Sequence, residues 1–137
     1  MCEIIETRYL YSSNYNLTLF FKEDDVVDGR LCLIDDNNTS VFNFEGILAR
    51  EKTRLSIAFF INWSLLDNPT WGFTAFTCEL IDNDVARVNW LTIANNSSDP
   101  HSHGVDYLYS KNLFTKFQHV TSLQVPFPSK AQLRIGL

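Results

Sequence analysis

The sequence predicts an all-β fold, an eight-stranded antiparallel up-and-down β-barrel. Apolar residues alternate with polar ones in about eight short blocks, as they do on strands that bury one face. Turn-forming clusters of hairpin size separate the blocks, and no stretch of useful length has the helical period. A meander of about eight strands can close on itself and so remove its own sheet edges.

The predicted strands follow from these alternating blocks. The fifth block is the clearest, because residues 55–64 read LSIAFFINWS and every second residue from Leu55 to Trp63 is apolar. Polar runs at 12–14, 35–38 and 82–84 mark hairpin turns. In chain order, the predicted strands are residues 4–11, 15–22, 26–34, 40–48, 53–63, 70–81, 86–94 and 111–119.

The composition indicates one globular domain. The chain has 137 residues, of which 45% are hydrophobic and 14% aromatic, which is enough for a sizeable core. We assign residues 1–119 to the barrel and 120–137 to a C-terminal extension without a domain of its own, because its prolines cannot easily continue a strand ladder. The apolar segment 125–128 is predicted to lie on the surface or to dock into a barrel mouth, its own or a neighbour's. Residues 95–110 are predicted to form a polar connection over that mouth.

Charge and hydropathy exclude several classes of partner. The net charge is −5 and the 11 basic residues are scattered, so no clustered surface for nucleic acid is expected. No window approaches the roughly 18 apolar residues of a membrane-spanning helix, so we expect a soluble chain without a membrane partner. The first residues lack the features of a signal peptide, but a removed signal peptide replaced by an initiator Met would look the same. The sequence therefore does not decide the cellular compartment of the protein.

The cysteines indicate structural thiols. Cys2, Cys32 and Cys78 are far apart and odd in number, so they allow at most one intramolecular disulfide, and buried free thiols are expected. Nothing in the sequence links Cys32 or Cys78 to a base such as His119, and no glycine-rich elbow is present among the five glycines. We therefore expect no enzyme activity.

A metal site was considered near residue 100. His101, His103, Asp99 and Asp106 offer imidazole and carboxylate ligands of the type that zinc or nickel accepts. Two histidines at i and i+2 in a loop have no fixed geometry, however. Solvated loop polarity is the preferred interpretation, and no metal is expected.

Three blocks carry a resemblance to a known family. They are residues 60–63 (FINW), residues 89–91 (NWL) and residues 111–117 (KNLFTKF). In this order and spacing they resemble the avidin/streptavidin family of biotin-binding barrels, well over 53–119 and loosely over 1–52. The resemblance implies an avidin-like barrel that is not an enzyme, binds biotin in an aromatic pocket at its open end, and forms a dimer or tetramer.

The resemblance also implies the residues of the pocket. Trp63 and Trp90 would form its walls, and Asn112 would hydrogen-bond a ureido nitrogen of biotin. Trp71 and Phe73 are expected to face inward and to extend the aromatic box. A one-residue slip would put Thr70, Thr74 and Phe76 inside instead. Packing in the core or rim is an equally good explanation of a tryptophan at a strand end.

The polar contacts of the pocket are less complete. Ser13 or Asn14 would supply the surviving contact to the ureido oxygen, and the loop 35–43 would bond the carboxylate end. The full set of expected ligand-binding residues is Trp63, Trp90, Asn112, Phe73, Trp71, Ser13, Asn14, Leu31, Asn38, Thr39, Ser40 and Thr92.

The chain departs from the family at three positions. Leu10 and Leu31 stand where the family has an Asn and a Tyr that bond the ureido oxygen, and Gly104 stands where it has the tryptophan of a neighbouring subunit. Each missing hydrogen-bond partner costs about 1–3 kcal/mol, so two losses weaken a ligand by roughly 10²- to 10⁴-fold. Two alternatives therefore stay open: a lipocalin-like carrier of another small ligand, or a degenerate avidin-like module for oligomeric interactions, with Phe60 and Leu91 at the subunit contact.

Overall fold

The computed structural model describes residues 3–34, 39–52, 54–63, 72–93 and 101–117. The predictions for Trp71, for Asn38 and for the extension 120–137, including its docking segment, lie outside the described residues. The same holds for the side chain of Thr39, whose backbone begins a strand.

The predicted fold class is confirmed. Eight antiparallel strands follow one another in chain order and close into a barrel, which a short helix follows. Within the described residues, no helix is both long and apolar enough to cross a membrane. The elements are β1 (Glu6–Tyr11), β2 (Tyr15–Phe21), β3 (Val26–Ile34), β4 (Thr39–Glu51), β5 (Arg54–Asn62), β6 (Phe73–Leu80), β7 (Val85–Ile93), β8 (His101–Tyr109) and α1 (Lys111–Phe117).

The first seven strands lie where the sequence predicted them, but the prediction for the eighth was wrong. β8 occupies part of the predicted connection 95–110, and the predicted strand 111–119 is largely α1. On β8 the inward positions include Gly104 and Asp106, which are not apolar, so this strand shows no alternation of the usual kind. In α1, the Phe114 N–H donates to the Ser110 carbonyl (2.9 Å), as in a helical turn.

The strands pair in one continuous stagger. A row of directly paired residues runs from β3 to β8 through Val26, Ile47, Ala58, Thr77, Asn89 and Val105. Followed once around the barrel, such a row returns to the register of β1 shifted by about ten residues. A shift of this kind requires strands that are tilted relative to the barrel axis, typically by about 35–45°.

The barrel closes at a narrow seam. Within the described residues, β1 and β8 share a single backbone pair, Tyr11 with Tyr109. β1 ends at Tyr11, and a tight turn leads into β2, with the Ser12 N–H donating to the Tyr15 carbonyl (3.1 Å). α1 packs beside this seam, where Phe114 stacks on Tyr11 with a centroid separation of 6.2 Å.

Aromatic rings fill the middle of the lumen. Phe44 stacks on Phe59 (3.8 Å between centroids), Phe59 stacks on Phe76 (4.7 Å), and Tyr15 meets Phe76 edge-on (6.4 Å). Such contacts add to the stability that ring burial already provides. The side chains nearer the hairpins at 22–25 and 81–84 are mainly aliphatic. They include Val27, Leu48, Ile57, Leu80, Val88 and Leu108.

Glycine makes room for one of the large rings. Gly104 pairs with Trp90 across β7 and β8, and a Cβ at Gly104 would lie 2.5 Å from Cζ2 of the Trp90 ring and 2.8 Å from Cε2. The indole therefore occupies the space that a side chain on β8 would need.

A substitution at this glycine should be costly. We expect Gly104→Ala to destabilise the protein by about 1–3 kcal/mol, because the added methyl overpacks a lumen that already holds Trp90. Urea unfolding followed by tryptophan fluorescence measures the effect. His103→Ala, at the exposed neighbouring position, should change the unfolding free energy little. Equal effects of both substitutions would contradict this description of the lumen.

Candidate functional site

The two tryptophans that the sequence singled out both face the lumen. Trp63, just after β5, is 0% exposed and meets Phe42 edge-on at 5.1 Å. Trp90, in β7, is 4% exposed. Phe59 pairs with Phe76, and Phe76 pairs with Trp90, so Trp90 lies level with the aromatic stack. Trp63 follows Phe59 by four residues, just beyond the end of β5.

Two buried threonine hydroxyls form a short chain of hydrogen bonds that begins at the Trp63 indole. The Trp63 Nε1–H donates to Thr74 Oγ1 (2.6 Å), and Thr74 Oγ1 lies 2.5 Å from Thr92 Oγ1. Thr92 follows Trp90 by two residues on the same face of β7, and both threonines are buried. These bonds satisfy polar atoms that would otherwise be costly to bury.

The register of β6 differs from the one that the sequence analysis preferred. Thr74 and Phe76 face the lumen, while Phe73 is 45% exposed and contacts Phe60 on the outside of the barrel. The expectation that Phe73 faces inward was therefore wrong, and the alternative register is the observed one. The alternation TAFTC contains polar and apolar residues on both faces, so periodicity alone could not fix it.

A buried tyrosine and aspartate form a second polar cluster in the lumen. The Tyr15 hydroxyl donates to Asp106 Oδ2 (3.0 Å), and both side chains are buried. Burial raises the pKa of the Asp106 carboxyl to about 6, although the hydrogen bond from Tyr15 acts in the opposite direction. Burial and the neighbouring carboxyl also hold the pKa of Tyr15 well above its usual value.

The sequence analysis missed this second cluster. Tyr15 begins the regular inward alternation of β2 and could have been found from that pattern. Asp106 could not, because residues 95–110 read as a polar connection.

Positions expected to recognise the ureido oxygen are apolar or peripheral. Leu10 and Leu31 are buried in the core, where their side chains offer no hydrogen bond. Ser13 is exposed and Asn14 half-buried in the β1–β2 turn, where the Asn14 carbonyl accepts the Ile34 N–H (3.0 Å). Ser40 is half-buried and pairs with Leu33, near the expected carboxylate end.

Asn112 lies apart from the two tryptophans. It is exposed on α1, the helix that packs beside β1 and β8, and not on a strand as the sequence analysis predicted. The structure thus brings together Trp63, Trp90 and Thr92 of the expected residues, and it places Asn112 and Phe73 outside the lumen.

Of the residues considered for a metal or for thiol chemistry, Asp99, His119 and the side chain of His101 lie outside the described part of the structure. Asp106 faces the lumen, whereas His103 is exposed. Among the described residues, no group of three His, Cys, Asp or Glu side chains could hold a metal ion. Cys32 and Cys78 are free thiols, and burial raises the pKa of Cys78 to about 12, which disfavours the reactive thiolate.

A small uncharged apolar patch lies on the outside of β5–β7. Phe60 is 63% exposed and Leu91 45% exposed, and Ala75 lies between them in the paired row. Phe73 adjoins Phe60, and we call these four residues the outer patch. Contiguous exposed apolar surface of this kind often marks a site of protein association.

A shallow concavity of about 620 Å³ lies over β2–β4, on another side of the barrel. Its lining mixes apolar and charged side chains, with the Arg30 guanidinium over the Phe20 ring (5.3 Å) and Asp28 paired with Lys22. It contains neither tryptophan and is not the site that the resemblance implies.

Comparisons of the chain with protein-family models, with curated proteins and with solved structures found no match. The resemblance to avidins therefore rests on the residues themselves and on the barrel that they form.

The polar chain of Trp63, Thr74 and Thr92 can be tested by a matched pair of substitutions. Thr74→Val keeps the shape of the side chain but leaves the Trp63 N–H without its acceptor, so we expect a loss of about 1–3 kcal/mol in stability. Thr77→Val, on the exposed face of the same strand, should have an effect near zero. Chemical denaturation measures both. Equal values would show that the hydroxyl of Thr74 contributes nothing.

Proposed function

We propose that the protein binds a small molecule in the barrel lumen beside Trp63 and Trp90, and that biotin is the first candidate. The observation that carries the proposal is that both tryptophans project into one lumen. Trp63 bonds Thr74 there, and Thr74 contacts Thr92, which lies two residues from Trp90 on the same face of β7. Rigid aromatic plates with a few fixed polar atoms are typical of sites for small cyclic ligands.

The polar groups of the lumen favour a ligand with both donors and acceptors. The threonine hydroxyls can donate or accept, and the Asp106 carboxyl can accept from an N–H group. A ureido or amide ring offers N–H and C=O groups of this kind. The support for biotin is thus the resemblance together with the chemistry of these side chains.

The apolar positions indicate a weakened site. Leu10 and Leu31 are buried and give a ligand carbonyl no donors. A barrel lacking both donors should bind biotin roughly 10²- to 10⁴-fold more weakly than one that has them. This loss also leaves room for a different small ligand as the natural one.

A second candidate function is an oligomeric interaction module without a ligand. The stacked rings of Phe44, Phe59 and Phe76 favour it, because they fill the middle of the lumen as a packed core. The outer patch would then be the functional surface. It supports self-association in either case, because an uncharged apolar face is suited to burial against a second copy.

Calorimetric titration with biotin tests the first proposal. We expect heat of binding with the wild-type protein and at least tenfold weaker binding for Trp63→Phe and Trp90→Phe, which lose part of an aromatic wall but conserve much of its volume. Arg87→Ala, at an exposed position of β7, is the matched control and should bind as the wild type does.

Asn112→Ala separates the resemblance from the observed geometry. If Asn112 bonds the ligand, binding should weaken up to about tenfold, whereas its exposed position on α1 predicts no change. Absence of heat with the wild-type protein would remove biotin, and a thermal-shift screen of other small molecules would then distinguish a different ligand from the interaction module.

Self-association is tested by charging the outer patch. We expect the wild-type protein to elute as a dimer or tetramer in size-exclusion chromatography with light scattering, and the double variant Phe60→Asp, Leu91→Asp to elute as a monomer, because carboxylates oppose burial of this face. Asn43→Asp adds a carboxylate at an exposed position of β4 and should leave the oligomer intact. A wild-type monomer at micromolar concentration would refute the proposal.

A further inference from the structure

The seam between β1 and β8 is the least paired boundary of the barrel. Neighbouring strands elsewhere share between five and nine paired residues, whereas β1 and β8 share only Tyr11 with Tyr109 in the described chain. Backbone bonds therefore hold this boundary far less firmly than the other seven.

A side-chain bond spans the seam where the backbone does not. Asp106 lies three residues before Tyr109, beyond the point at which β1 has ended. Tyr15, at the start of β2, reaches it from the other side and donates the 3.0 Å hydrogen bond. The two residues are 91 positions apart in sequence, so this bond ties the two ends of the meander together.

The surroundings of Asp106 make this contact sensitive to its charge. Tyr15 on β2 hydrogen-bonds it, Trp90 on β7 lies beside it, and Cys78 on β6 faces Tyr15. Burial raises the pKa of Tyr15 and Cys78, so both groups stay neutral near neutral pH. Arg8, on the same face of β1 as Leu10, is paired with Glu6 and stacked on Phe21. No cation thus neutralises Asp106 among the contacts of the described residues.

We propose that the barrel opens at the β1–β8 seam by separation of the β1–β2 hairpin from β8, and that the hydrogen bond of Tyr15 with Asp106 holds it closed. The closed form favours the protonated carboxyl, because only the open form lets water solvate the carboxylate. The opening is a property of the barrel itself and does not depend on the identity of any ligand.

The expected pH dependence follows from linkage. The pKa of Asp106 is about 6 in the closed form and has a usual value of 3.8 when hydrated. Ionisation therefore favours the open form, and the contribution of Asp106 to closure is lost as the pH rises from 3.8 through 6. Between about pH 5 and pH 7, the opening equilibrium constant should rise about tenfold.

Cys78 is a native reporter of the opening. Its side chain is buried in the lumen facing Tyr15, so a thiol reagent reaches it only when the lumen is accessible. In a Cys2→Ser, Cys32→Ser background, the thiolate of Cys78 attacks an aromatic disulfide reagent, and the released aromatic thiolate is measured by its absorbance. Dividing the rate by that of the same protein unfolded in urea, at each pH, gives the opening constant.

We expect labelling of the folded protein to depend little on low urea concentration, as for a local opening, and to rise about tenfold from pH 5 to pH 7. At pH 7, where Asp106 is mostly ionised, Tyr15→Phe should increase the opening constant roughly 10- to 100-fold, because it removes a hydrogen bond to the carboxylate. Tyr9→Phe, at an exposed position of β1, is the matched control and should have no effect. Asp106→Asn should abolish the pH dependence.

The proposal is overturned if labelling of Cys78 shows the full urea dependence of global unfolding, or if the tenfold rise with pH is absent from the protein with native Tyr15 and Asp106. It also fails if Tyr15→Phe and Tyr9→Phe behave alike. Far-ultraviolet circular dichroism establishes that each variant is folded before labelling. Because no ligand is used, a failure of biotin binding leaves this test unaffected.

Discussion

Closure of the barrel obliges every second residue of eight strands to share one narrow lumen. The space is limited, so large rings require small partners. Trp90 fits because Gly104 faces it, and Phe44 lies over Gly29, where a Cβ would collide with its ring. The sizes of inward residues on different strands are therefore coupled, although these residues are far apart in the chain.

The same constraint governs the polar atoms of the lumen. An indole N–H or a carboxyl inside a closed sheet has little access to water and must find a partner among the other inward side chains. The Trp63–Thr74–Thr92 chain and the Tyr15–Asp106 pair meet this requirement. In the proposed binding function, groups that stabilise the free protein would also be the ones available to a ligand in the lumen.

Local patterns in the sequence were sufficient to predict the fold class and the first seven strands. Their inward positions are mostly apolar, so alternation revealed them, and it placed Trp63 on the apolar face of β5. β8 was not found because its inward residues are explained only by their contacts with other strands. Gly104 leaves space for the Trp90 ring, and Asp106 accepts the hydrogen bond from Tyr15. The periodicity of a single strand cannot reveal a residue whose type is required by a contact with another strand.

The candidate site was predicted less completely than the fold. The facing of Phe73 and Thr74 depends on strand register, which a segment with threonine on both faces leaves undetermined. Asn112 was assigned to a strand because KNLFTKF alternates in part, yet its apolar residues Leu113 and Phe114 are adjacent, both are half-buried on α1, and Phe114 stacks on Tyr11. Resemblance supplied the tryptophans and Thr92, but the bond of Thr74 with Thr92 and the Tyr15–Asp106 pair required the three-dimensional pairing.

The helix beside the seam has a consequence for the connectivity of the chain. Since Phe114 of α1 stacks on Tyr11 of β1, the last described element lies against the first strand. A short peptide joining these elements could replace the natural link between two neighbouring strands, with new termini placed in an exposed hairpin such as 81–84. A barrel whose first and last strands are neighbours can in this way be circularly permuted without changing any strand contact.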